Sequence, residues 1–171
     1  HRAGCGPPDG RAPAEQHLAC GGYASGGVRI CGDPVLSGYT GLGITKGALT
    51  KGLICAPKHY AFNDQESNRN GVAPFMNEQK GRELELRSFQ IAIEGGTLGV
   101  MTSFSRIGPT YVGAHTGLIS DILCGEWGFN GYIISDMVNP ASYMTWKESV
   151  IAGTTNFDAA DINELWYSYI T

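Results

Sequence analysis

Three short runs, LICAPKH (Leu53–His59), TLGVMTSF (Thr97–Phe104) and YIISD (Tyr132–Asp136), are apolar without alternation and end in polar side chains. A strand with one face in water alternates apolar and polar residues. A strand that does not alternate buries both faces, as in a parallel sheet covered by helices. Helical patterns lie between and after these runs. In NEQKGRELELRSFQIAIEGG, Asn77 can cap, Leu86, Phe89 and Ile93 share a face, and Gly95-Gly96 end the element. HTGLISDILCGEW reads as a second helix with Leu118, Ile122 and Leu123 inward, GFNG as a turn, and YMTWKESVIAG as a third helix or a helix running into a short strand. Strand–helix alternation predicts an α/β fold with parallel strands and covering helices. Lys58-His59, Ser103 and Ser135-Asp136 then share the carboxyl edge of the sheet, where α/β proteins bind ligands.

The first 32 residues are rich in Gly, Pro, Ala and Cys and have no sustained periodicity. They read as an irregular segment with a short helix near Ala14–Ala19, so the chain divides into residues 1–32 and a main domain over 33–171. Asp33-Pro34 opens a stretch, PVLSGYTGLGITKGALTKG, that suits a helix broken by its glycines. NDQESNRNGVAPF is polar and turn-rich, hence a loop.

Composition is globular, with 42% apolar and 16% charged residues among 171. Net charge is −4 and no Lys/Arg-rich run occurs, which argues against a nucleic-acid or anionic-membrane partner. No apolar run approaches the roughly 20 residues that span a bilayer. The five cysteines show no CxxC spacing and the four histidines no HExxH spacing, so neither a metal site nor a cofactor is expected. Cys55 and Cys124 lie in apolar contexts and are expected to be buried thiols. GLGITKGALTKG prompts a phosphate-loop reading but fails the GxxxxGK[ST] pattern.

Taken singly, Asp136 could cap a helix, Lys58-His59 could end an exposed strand, and Glu66 with Arg69 could brace a loop. Together with their flanks they resemble a known family. KHYAFNDQESNR, GRELELRSFQIAI, VMTSFSRIG, EWGFNGYIISDM and AGT, in this order, resemble glycoside hydrolase family 3, which includes many β-glucosidases, from about Asp33 to about Asn156. The resemblance implies part of a (β/α)8 TIM-type barrel and a carbohydrate substrate. It implies that Asp136 is the catalytic nucleophile, that Lys58 and His59 bind sugar hydroxyls, and that Arg69 positions the sugar or the nucleophile. Met101 matches a substrate-contacting position and Phe104 a position where many members have a tyrosine. Glu66 and Glu83 match positions that look structural. The implied chemistry is retaining hydrolysis of a terminal non-reducing sugar, of β-glucosidase or β-xylosidase type, through a covalent glycosyl-enzyme. Cations such as Lys58 and Arg69 would favour the ionised nucleophile. Core packing is the expected job of Trp146.

The sequence also departs from the family. No acid/base residue is assignable, since in the family's β-glucosidases it comes from a second domain, and the histidine of the N-acetylglucosaminidase branch is missing from the loop after Lys58-His59. A (β/α)8 barrel takes about 250 residues, so an internal piece is expected, with the rest of the barrel and the second domain lying in a longer protein. Residues 1–32 do not match the family's usual text, which leaves Arg11 as a weak counterpart of its sugar-binding arginine. SDM and TSFS stand where SDW and TSYN are commoner, and the hydroxyl missing at Phe104 removes one hydrogen bond available to Asp136. The alternative function is a catalytically inert carbohydrate-binding relic. Nothing in the sequence assigns a compartment.

Overall fold

The computed structural model describes residues 17–20, 33–63, 71–137 and 143–158. Strands β2 (Cys55–Lys58), β3 (Gly99–Met101) and β6 (Tyr132–Ile134) lie side by side, and β3 pairs with β6 in parallel with Val100 opposite Ile133. Just past β2, Tyr60 forms a parallel bridge with Thr102: its N–H donates to Met101 and its carbonyl accepts from Ser103. Beyond β6, Ile134 forms a parallel bridge with Asn156. The three apolar runs are therefore neighbouring strands of one sense, as their lack of alternation predicts.

Helices cover this sheet. Helix α1 (Pro34–Leu49) begins where Asp33 accepts the N–H groups of Val35 and Leu36 at 2.9 and 2.8 Å, with Pro34 in the first turn. It runs unbroken through its glycines, against expectation. Packing overrides propensity here: a Cβ on Gly38 would stand 2.8 Å from Ile91, so the bare backbone lets α1 close onto α3 (Arg87–Glu94). Asn77 caps α2 (Glu78–Lys80) through the N–H of Lys80, and a π-helical turn, Gly81–Glu85, joins α2 to α3. Leu86, Phe89 and Ile93 are buried as their spacing requires, and the helix ends at Gly95 with Gly96 at φ +101°. The next helical segment, Gly117–Glu126, is π-helical and buries Leu118 and Leu123, with Ile122 packed at the core margin. Helix α4 (Trp146–Ala152) realises the helical reading of the third pattern.

The core lies between sheet and helices, where Tyr60, Phe89, Val100, Ile119, Leu123 and Ile133 are almost fully buried. The Tyr60 hydroxyl donates to the Leu118 carbonyl at 2.8 Å, and its ring meets Phe89 edge-on at 5.3 Å. A small hairpin, β4 (Arg106–Ile107) with β5 (Thr110–Tyr111), follows β3. Sequence patterning does not reveal it, since each strand has two residues.

Two expectations are corrected. His17–Cys20, which overlaps the stretch expected to be a short helix near Ala14–Ala19, forms strand β1, antiparallel to β2. The edge of β2 offers unpaired backbone groups that an extended segment satisfies and a helix cannot. Cys55 is buried, as expected, but it is disulfide-bonded rather than a thiol. In the strand pairing the Cys20 backbone stands opposite that of Cys55, a register that local spacing cannot show. Cys124 is a free, partly buried cysteine.

Candidate active site

The strand ends of β2 and β6 bring two of the candidate residues together. His59 Nε2 lies 3.1 Å from Asp136 Oδ2, with side chains only 12% and 13% exposed. The other carboxylate oxygen, Oδ1, accepts the Met137 N–H at 2.9 Å. A mostly buried carboxylate requires such donors, because an unpaired charge out of water is strongly disfavoured. Asp136 is thus a partnered charge at the carboxyl edge of the sheet, not the cap of a described helix. Three residues past His59, Phe62 holds φ +65°, a conformation that disfavours bulky side chains and that persists only where the surroundings impose it.

The other candidates fall around this pair. Met101, half-buried, ends β3 in register with Ile134, two residues before Asp136. Lys58 ends β2 and is half-buried, and among the described residues His59 is a cation-capable group that reaches the Asp136 carboxylate. Arg69 and Glu66 lie outside the described residues. Phe104 packs into an aromatic cluster with Tyr111, Met144, Tyr143 and Trp146, and its carbonyl accepts a short hydrogen bond from the Tyr143 hydroxyl. Arg106 lies over the Tyr143 ring, 3.6 Å from its centroid. Trp146 packs against Phe157 at 5.0 Å, the core role expected of it. Among the described residues no three His, Cys, Asp or Glu side chains cluster as a metal site.

Of the buried polar residues near the strand ends, the sequence points to Ser103 but not to Thr102 or Tyr111. Ser103 Oγ donates to the Ala61 carbonyl at 2.6 Å and accepts the Ser105 N–H, fixing the chain as it leaves β3. Tyr111, 3% exposed, sets its hydroxyl against that of Thr102, which is fully buried. Burial pushes the Tyr111 phenol up to about 12; the Thr102 hydroxyl opposes that shift, while the charge of Asp136 and the neighbouring Tyr143 add to it. A hairpin of two-residue strands carries no periodic signal, so nothing in the sequence announces the burial of Tyr111.

Residues 31–157 match the family model of the glycosyl hydrolase family 3 N-terminal domain. The chain belongs to glycosyl hydrolase family 3. Among curated family 3 relatives, "Probable beta-glucosidase J" of Aspergillus fumigatus is 41% identical over 105 residues, 61% of this chain and 12% of the relative. "Probable beta-glucosidase I" of Emericella nidulans is 38% identical over 122 residues, 71% of this chain and 14% of the relative. A crystal structure of the family 3 β-glucosidase of Bifidobacterium adolescentis superposes with a TM-score of 0.72 at 27% identity, covering 80% of this chain and 20% of that one. β-Glucosidase 3B of Thermotoga neapolitana, in complex with glycerol, superposes at 0.68 and 32% identity, covering 73% and 17%. The described elements are accordingly a partial (β/α)8 barrel of family 3 type. The chain spans about an eighth of the curated relatives' length.

Proposed function

We propose that this family 3 chain carries the nucleophile side of a retaining β-glycosidase site, of β-glucosidase or β-xylosidase type. The observation that carries this reading is the His59–Asp136 contact at the carboxyl edge of parallel strands. In that arrangement Asp136 attacks the anomeric carbon of a terminal sugar. The glycosidic bond breaks as the ester bond forms, and water later releases the sugar. His59 and Met137 hold the carboxylate in one orientation, which raises the fraction of encounters with reactive geometry. Lys58 and Met101 stand on adjoining strand ends and Phe104 follows β3; these three are proposed to border the sugar, with Arg69 joining them. The names of the relatives, and the Thermotoga neapolitana structures bound to glucose, favour a β-glucoside substrate. The proton for the leaving oxygen must come from a second carboxylic acid about 5 Å from the nucleophile. Asp136 and His59, paired to each other, are not proposed to supply it; the resemblance implies that a further domain does.

The test is incubation with a 2-deoxy-2-fluoro-β-glucoside bearing an activated leaving group, which needs little acid assistance, followed by intact and peptide mass measurement. A sugar on Asp136 that is absent in Asp136→Asn supports the reading. A folded chain that forms no adduct, tested also within the complete reading frame, would favour the inert carbohydrate-binding alternative.

A further inference from the structure

We propose that Ser103 is a positioning residue for His59, its buried hydroxyl fixing the segment from which the imidazole reaches Asp136. The inference deepens the reading of Asp136 as the functional carboxylate and rests on it. Beyond Lys58 the chain is held to the end of β3 at three points. The Tyr60 N–H donates to the Met101 carbonyl at 2.8 Å, the Ser103 N–H donates to the Tyr60 carbonyl at 2.9 Å, and the Ser103 hydroxyl donates to the Ala61 carbonyl at 2.6 Å. The first two are backbone bonds of a parallel bridge, open to any residue with an N–H. The third needs a hydroxyl at position 103, so it alone depends on residue type.

Ser103 is fully buried. A hydroxyl out of water is destabilising unless hydrogen bonds use it. This one is used in both directions: Oγ donates to Ala61 and accepts the Ser105 N–H at 3.2 Å. The donor tie runs to the segment leaving β2, and the acceptor tie to the segment leaving β3. The hydroxyl therefore couples the ends of two neighbouring strands, one of which carries His59.

The grip falls where the backbone needs it. The Ala61 carbonyl belongs to the peptide that precedes Phe62, and Phe62 holds φ +65° with its side chain buried in the core. A bulky residue keeps such a conformation only where the surroundings over-determine it. On the other side of Ala61, Tyr60 is buried and its hydroxyl is committed to the Leu118 carbonyl. The segment that follows His59 is thus held from both faces, and the imidazole is presented with Nε2 at 3.1 Å from Asp136 Oδ2. Asp136 is anchored separately. Ser135, the residue before it, is fully buried and its Oγ accepts the Asp158 N–H at 3.0 Å. The two halves of the contact depend on different serines, so loss of the Ser103 hydroxyl frees the imidazole and leaves the carboxylate in place.

The test uses the 171-residue chain with nitrogen-15 in its histidine rings, read by magnetic resonance. The His59 signal is identified by its loss in His59→Ala, and its displacement in Asp136→Asn measures the contact. In Ser103→Ala the His59 signal is expected to move at least halfway to its Asp136→Asn position, with the His115 signal unmoved. Ser105→Ala alters a buried serine but keeps the N–H that donates to Ser103, and is expected to leave both signals as in the parent. Should Ser103→Ala not fold, Ser103→Cys, close in volume and a weaker donor, takes its place. A folded variant at position 103 that keeps the parent's His59 signal overturns the proposal. A displacement shared by His115 makes the hydroxyl a general packing feature and overturns it as well, as does failure of both variants to fold. No sugar is involved, so a chain that forms no glycosyl adduct counts against the proposed function alone, and the His59 signal still decides this inference.

Discussion

His59 reaches across a whole strand to meet Asp136. The histidine leaves β2, the aspartate leaves β6, and β3 lies between them, yet Nε2 and Oδ2 are 3.1 Å apart. The contact therefore ties the two outer strands together over the carboxyl end of the middle one. Replacing His59 by alanine removes a donor from a mostly buried carboxylate and frees its rotation. Formation of the fluoroglucosyl adduct on Asp136 is expected to slow by roughly a hundredfold, the usual scale of an ångström-sized misplacement. A time course of adduct mass in the parent and His59→Ala checks it; equal rates would separate the contact from the chemistry.

Two buried phenols make the chain sensitive to alkali. Burial raises Tyr60 far above the ordinary value and Tyr111 to about 12. In the unfolded chain both ionise near 10.0. The stability they contribute is complete below that value and is lost as pH rises above it toward the native values, because only the unfolded state gains by releasing the protons. Phenolate absorbance followed across this range should show two tyrosines titrating only with unfolding. Tyr111→Phe should move the alkaline transition upward.

Close backbone approach makes Gly131 unlike its neighbours. A Cβ there would stand 2.1 Å from the Leu98 carbonyl oxygen, the acceptor for the Tyr132 N–H. Gly131→Ala is expected to destabilise by about 1–3 kcal/mol through forced separation of β3 and β6. Gly43→Ala is the internal control. Its Cβ meets nothing within 4 Å on exposed α1, and the change should stabilise by roughly 0.5–1 kcal/mol. Denaturant midpoints of the two variants should move in opposite directions.

Burial raises the Cys124 thiol above its ordinary value. Less thiolate is then present at neutral pH, so alkylation should be slower than for a free cysteine peptide and should accelerate as the solution is made alkaline. Cys55 should take up label only after reduction. Mass spectrometry of the labelled chain under native and reducing conditions reads both.

Fold class was legible because the three strands bury both faces, and a strand that does so must be written in apolar residues throughout. Leu86, Phe89 and Ile93 were equally plain, since helical spacing fixes a buried face. The ends of those strands pointed to Asp136, His59 and Lys58 as one edge. What stayed hidden depends on distance along the chain. Tyr111 is buried through a hairpin of two-residue strands, and the register of Cys20 opposite Cys55 joins segments that have no common period. The unbroken α1 was missed because Gly38 is used for contact with Ile91, and glycine propensity alone reads as a break.

Strand β1 gives the two flanks of the sheet different characters. Among the described residues every other pairing of the main sheet is parallel, whereas β1 runs against β2 with four residues in register. One flank therefore ends on a reversed strand, and the other carries the common sense onward through the bridge from Ile134 to Asn156.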